Sequence, residues 1–131
     1  MNIALIAHDK KKELMVQFCI AYKGIFKKHN LIATDATGSF VSDATGLVIE
    51  KMLPGSGGVQ QIGARIAYNE IDCVLFFRDP FGYSEYDSEI HEIMRLCDVH
   101  NIPLATNIAS AEIIIMGINR GDLDWRNYLR P

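Results

Sequence analysis

The chain has 131 residues, enough for one domain around one hydrophobic core and too few for a second of ordinary size. Hydrophobic residues make up 49% and charged residues 22%, a globular balance that excludes a disordered chain. Sixteen acids against thirteen bases give a net charge of -3, which argues against nucleic-acid binding through a basic footprint.

Residues Asn2 to Ala7, NIALIA, form an apolar run without polar alternation, as expected for a strand covered on both faces. The run stops at His8 and Asp9, too soon for a secretory leader. No apolar run reaches the roughly 18 residues of a membrane span. From about Lys11 to Phe26, the residues Leu14, Met15, Phe18, Cys19, Tyr22 and Phe26 recur at spacings of three and four. This predicts an amphipathic helix with its lysines outside. A second strand is expected over Leu31–Thr34, then a polar loop Asp35-Ala36-Thr37-Gly38 and a short helix Ser39–Ala44 stopped near Gly46. Leu47–Met52 reads as a third strand.

Pro54-Gly55-Ser56-Gly57-Gly58 is the most unusual segment, and a helix is expected after it over Val59–Tyr68. Asp72–Phe77, DCVLFF, is the plainest strand in the chain. A long polar loop, Arg78 to Asp87, leads to a helix with Ser88 as cap, Glu89 in its first turn and a buried stripe of Ile90, Ile93, Met94 and Cys97. Pro103–Thr106 is a fifth strand and Ala109–Gly117 a last helix. The polar tail Asn119–Pro131, with Trp125 and Tyr128, is expected to cover the domain or to pack on another subunit. Strand and helix alternate throughout, so the predicted class is α/β, with one domain over 1–131 and a mainly parallel five-stranded sheet.

Cys19, Cys73 and Cys97 fall within apolar patterns and outside any CxxC pair, which points to buried reduced thiols and a cytoplasmic location. No His or Cys pair has metal-ligand spacing, so no metal site is expected.

Ligands of open parallel sheets bind at the carboxyl ends of the strands. Those ends carry His8-Asp9, Thr34 to Gly38, Gly55 to Gly58 and Arg78-Asp79-Pro80. A glycine segment ahead of a helix offers free amides and a positive dipole end, which suits phosphate; a plain structural turn is the other reading. A dinucleotide fingerprint would need glycine where Gln60 stands, and no GK[ST] follows. His8 and Lys12 supply two further contacts for a phosphate or carbonyl, whereas Asp9 also suits a helix cap.

The stretches NIALIAHDKK, LIATDATGSFVSDATG, GGVQQIGARI, IDCVLFFRDP and RLCDVHNIPLATNIASAE together resemble the methylglyoxal synthase family and span nearly the whole chain in order. The resemblance implies a doubly wound parallel sheet, a hexamer or other homo-oligomer, no cofactor, and a lyase that converts dihydroxyacetone phosphate to methylglyoxal and inorganic phosphate. It places His8, Lys12, Thr34, Thr37, Gly38 and Gly55 in the substrate pocket, matches Asp9 and Asp79 to acids of that pocket, and sets Arg95 near the phosphate route. The family's serine of the SGP turn is Pro54 here, with Ser56 as a substitute two residues on.

Other departures bear on the chemistry. The family carries GGDQQ, whose aspartate removes a proton from the substrate carbon; this chain has Val59 there. Tyr86 stands for a family histidine, Glu89 for an aspartate, Asp35-Ala36 for glycine-threonine and Asp43 for an arginine. Losing a general base typically costs a factor of about 10²–10⁴. A carboxylate beside phosphate at about 4 Å costs on the order of 4 kcal/mol at an effective dielectric near 20. The departures together point to a catalytically impaired paralogue that binds inorganic phosphate or a small phosphorylated metabolite. The alternative is an active synthase with Glu89, Asp79 or Asp9 as base and Tyr86 as a further catalytic candidate.

Overall fold

Every strand of the sheet runs the same way. In a computed structural model that describes residues 1–82 and 87–129, β1 (Asn2–Ala7) pairs in parallel with β2 (Asn30–Ala33) on one side and with β4 (Cys73–Phe77) on the other. The outer strands are β3 (Ile49–Lys51), beside β2, and β5 (Leu104–Ala105), beside β4. The order is therefore β3-β2-β1-β4-β5, with the direction of winding reversing between β1 and β4. That reversal opens a crevice at the carboxyl ends of these two neighbours.

The apolar runs explain the layering. Alternate residues of a strand face opposite sides, and both sides of β1 and β4 are covered. Ile3, Leu5, Cys73, Leu75 and Phe77 pack with Met15 and Phe18 of α1 (Lys12–Ala21), Phe26 of α2 (Lys23–Phe26), Val41 of α3 (Asp35–Thr45) and Ile115 of α6 (Ile108–Asn119). Ala4, Ile6, Val74 and Phe76 pack with Val59, Ile62 and Ile66 of α4 (Gly55–Ala67) and with Ile90 and Ile93 of α5 (Asp87–His100). Each large side chain buried there contributes roughly 1.5–3 kcal/mol. The doubly wound α/β architecture is thus as expected.

Several boundaries differ from the sequence reading. The first helical stretch starts as a 3₁₀ turn at Asp9–Lys11 and breaks at Tyr22, so it is two helices rather than one. Asp35 to Gly38 is the first turn of α3 and not a loop: Thr34 takes the extended cap conformation and its carbonyl accepts from Gly38 N at 2.8 Å. The glycine segment is likewise the first turn of α4, entered through extended Pro54 and through Gly55 at φ +63°. A Cβ at Gly58 would collide with the carbonyl oxygen of Leu53, so close packing, and not flexibility, requires glycine there. Helix α5 already begins at Asp87, so Ser88 lies inside it, and Met94 is 41% exposed while Ile90, Ile93 and Cys97 are buried.

The cysteines are all free and buried; burial pushes the thiols of Cys19 and Cys97 up to about 12 and that of Cys73 up as well, which leaves them inert. Among the described residues no helix is long and apolar enough to cross a membrane.

The tail is held by Arg126 in a 3₁₀ turn over Asp124–Tyr128. Its side chain, 2% exposed, meets Asp72, 0% exposed, at 3.2 Å. It also donates to the carbonyls of Ile71, His100 and Asn101 and to Asn69 Oδ1. Asp72 accepts from Asn2 N at 2.8 Å as well. This cluster lies at the amino ends of β1 and β4, about 17 Å along β4 from the crevice at a rise near 3.3 Å per residue.

Candidate active site at the carboxyl edge

His8 follows β1 directly, and its backbone N–H continues the pairing with β4 by donating to Phe77 O at 3.0 Å. Its ring is buried, edge-on to Phe76 at 5.4 Å between centroids. Nδ1 accepts from Asp79 N at 3.0 Å. A nitrogen that accepts a backbone hydrogen bond cannot carry the proton, so the neutral ring holds its proton on Nε2. The two strands at the winding reversal thereby fix the tautomer of one imidazole.

Lys12, in the first turn of α1, folds back to the strand end, where Nζ donates to Ala7 O at 3.0 Å and to Asp9 Oδ1 at 2.7 Å. The lysine is mostly covered, whereas the side chain of Asp9 is 99% exposed. The hydrogen bond and charge of Lys12 hold the Asp9 carboxyl below its ordinary range. After β2, Thr34 and Thr37 are both buried with their hydroxyls 3.3 Å apart. Gly38 lies so close under β3 that a Cβ would press on Lys51. His8, Lys12, Thr34, Thr37 and Gly38 thus come from two adjacent strand ends, and Gly55 opens the helix that follows β3.

Asp79 Oδ1 accepts from Phe81 N at 3.0 Å and so closes the turn after β4. Tyr86 lies outside the described residues. Glu89, half-buried at the start of α5, accepts from Ser56 Oγ at 2.6 Å and from Ser88 Oγ at 3.0 Å. The Ser56 hydrogen bond, ahead of the other causes, holds its carboxyl below the usual glutamate value. Val59 is 2% exposed and shares with Glu89 a groove of about 350 Å³ between α4 and α5. Arg95 also borders that groove, but its guanidinium is forked onto Glu92 on the exposed face of α5 and is not drawn to the cluster of His8 and Thr34.

Among the described residues no group of three or more His, Cys, Asp or Glu is placed to hold a metal ion. Two pairings escape sequence reasoning, Ser56 with Glu89 and Asp72 with Arg126. The second had a faint signal, an acid heading an apolar strand and an arginine beside the sole tryptophan of a polar tail.

Residues 14–106 match the MGS-like domain family. A methylglyoxal synthase of Caldicellulosiruptor saccharolyticus is 60% identical over 132 residues, covering 100% of this chain and 94% of that protein. The chain belongs to the methylglyoxal synthase family. A family member from Oceanobacillus iheyensis is 55% identical over 99% of the chain and 94% of its own length. The crystal structure of methylglyoxal synthase from Elizabethkingia anophelis NUHP1 superposes with a TM-score of 0.81 at 41% identity, covering 87% of this chain and 76% of that one.

Family membership at this level corrects one expectation. The sequence reading took Val59 as the mark of an impaired, binding-only paralogue without a catalytic base. A chain 60% identical over its whole length to a methylglyoxal synthase keeps the frame of an enzyme, with three carboxylates still at the carboxyl edge. Val59 is a packed core residue beside Ile62 and does not by itself remove the chain from the lyases.

Proposed function

We propose that the chain is a lyase that converts dihydroxyacetone phosphate to methylglyoxal and inorganic phosphate. The observation that carries this reading is end-to-end identity of 60% with a protein named for that activity. The geometry supports it. Lys12, the Thr34 and Thr37 hydroxyls, and the backbone at Gly38 and Gly55 are suited to the phosphate, since cations and helix N-termini favour anions. His8, with its proton on Nε2, is suited to donate to the substrate carbonyl oxygen as charge develops there. One of the carboxylates at this edge (Asp9, Asp79 or Glu89) serves as base, because position 59 has no proton acceptor. Arg95 and Tyr86 remain candidates for the phosphate route and the catalytic loop.

The same reading makes the chain one domain that works as a homo-oligomer, a hexamer by family likeness, without metal or cofactor. Its three buried free thiols suit the cytoplasm. The test is direct: incubate the purified protein with dihydroxyacetone phosphate and follow release of phosphate and methylglyoxal. Turnover is expected at ordinary enzymatic rates; no release above the uncatalysed background defeats the proposal.

A further inference from the structure

The turn after β4 is held by a side chain and not by burial. Phe81 is 98% exposed and brings no packing to it. Pro80 has no backbone N–H to offer, and the half-buried Asp79 takes the next one, accepting from Phe81 N through Oδ1 at 3.0 Å. An aspartate that binds its own backbone two residues on shapes a tight turn by itself. The other oxygen sits over Gly82, where an added Cβ would collide with Asp79 Oδ2. The backbone of the same residue donates to His8 Nδ1 at 3.0 Å, across 71 positions of chain. Side chain and backbone of Asp79 therefore act in series: Oδ1 sets the turn, and the turn aims the N–H. The tautomer of a neutral imidazole follows the bond made by its other nitrogen, so this N–H decides where the His8 proton resides.

We propose that Asp79 is the positioning residue of His8: its carboxylate locks the turn that keeps the imidazole proton on Nε2, where the substrate carbonyl needs a donor. This rests on the lyase reading above and takes Asp79 out of the carboxylates that could serve as its base. The two roles differ in chemistry. A base needs a carboxylate that gains a proton, whereas the turn needs only an oxygen that accepts from Phe81 N, which the amide of asparagine also supplies. With the proton on Nδ1 instead, Nε2 would turn a lone pair to the carbonyl oxygen and oppose the charge that develops there.

The experiment compares the wild type with Asp79→Asn, Asp79→Ala and Gly82→Ala, each checked for folding by its thermal melt. Rates are followed with dihydroxyacetone phosphate. The ring nitrogens of His8 are observed by ¹⁵N NMR and assigned through their loss in His8→Gln. Asp79→Asn should leave kcat and the Nε2–H signals nearly unchanged, whereas loss of a general base would cost a factor of about 10²–10⁴. Asp79→Ala should bring in the Nδ1–H tautomer and lower kcat by about 10²–10³, the usual effect of losing one donor to a developing oxyanion. Its KM should stay within about threefold, as for an interaction made only in the transition state. Gly82→Ala presses on the same carboxylate without removing it and should move rate and ring signals in the same direction, which reads the contact even if Asp79→Ala fails to fold. A wild type that turns over while Asp79→Asn falls as far as Asp79→Ala overturns the assignment and leaves the lyase reading intact. So does an Asp79→Ala or Gly82→Ala protein that keeps its kcat, or one that loses it with the ring signals unmoved. A wild type that releases no phosphate removes the lyase reading, and the role given to Asp79 with it.

Discussion

Replacing Arg126 with leucine should be the most damaging single change away from the carboxyl edge. The substitution removes the partner of a fully buried carboxylate and four further hydrogen bonds, to Asn69 Oδ1 and to the carbonyls of Ile71, His100 and Asn101. Breaking a buried pair by deleting one member costs about 3–5 kcal/mol, because the remaining charge stays desolvated. At about 4 °C per kcal/mol for a chain of this length, Tm should fall by about 12–20 °C. Thermal and urea unfolding followed by circular dichroism would read both quantities. Adding Asp72→Asn to Arg126→Leu should then recover more than about 1 kcal/mol relative to the sum of the single changes. A loss below about 1 kcal/mol for Arg126→Leu, or simple additivity in the pair, would refute the view that this contact anchors the tail.

Other expectations are checked more simply. Gly58→Ala drives a methyl group into the Leu53 carbonyl and should cost about 1–3 kcal/mol by the same melts; a neutral result would mean that the entry to α4 yields. Thr37→Val keeps the volume but removes a buried hydroxyl, so the rise in Tm caused by millimolar inorganic phosphate should shrink if that hydroxyl holds the anion. Because the folded protein holds the Glu89 carboxyl below its unfolded value, this bond adds stability above about pH 4.3 and loses it as pH falls through the folded value. The stability gap between wild type and Ser56→Ala should accordingly close on acidification; a gap that widened would reverse the sign of the coupling.

The sheet was legible because its strands are continuous apolar runs: NIALIA and DCVLFF have no polar face, which only a strand covered on both sides tolerates. The strand ends, and so the residues that gather at the carboxyl edge, followed from it. The helix starts did not. Asp35 to Gly38 and Gly55 to Gly58 look like loops because serine, threonine, aspartate and glycine have poor helix propensity, yet contact with Leu53 and Lys51 selects small residues inside the first turns. The single helix expected over Lys11–Phe26 concealed a break at Tyr22, since periodicity of apolar residues continues across it. Pairings between distant positions, 33 residues apart for Ser56 and Glu89 and 54 for Asp72 and Arg126, leave no local pattern to read. The departures at Val59, Tyr86, Glu89, Asp35-Ala36 and Asp43 read as impairment only when set apart from the 60% identity that surrounds them.

The knot of Asn2, Asp72 and Arg126 also has a kinetic meaning. The contact of Arg126 with Asp72 spans 54 residues, so the entropy of closing that loop is met only after β1 and β4, whose pairing includes the Asn2–Asp72 bonds, have come together. Contacts completed that late are absent from the transition state, and their loss speeds unfolding while leaving refolding nearly unchanged. The turn that carries Arg126 thus acts as a latch on the lifetime of the native state, shut only once the strands it clasps have paired.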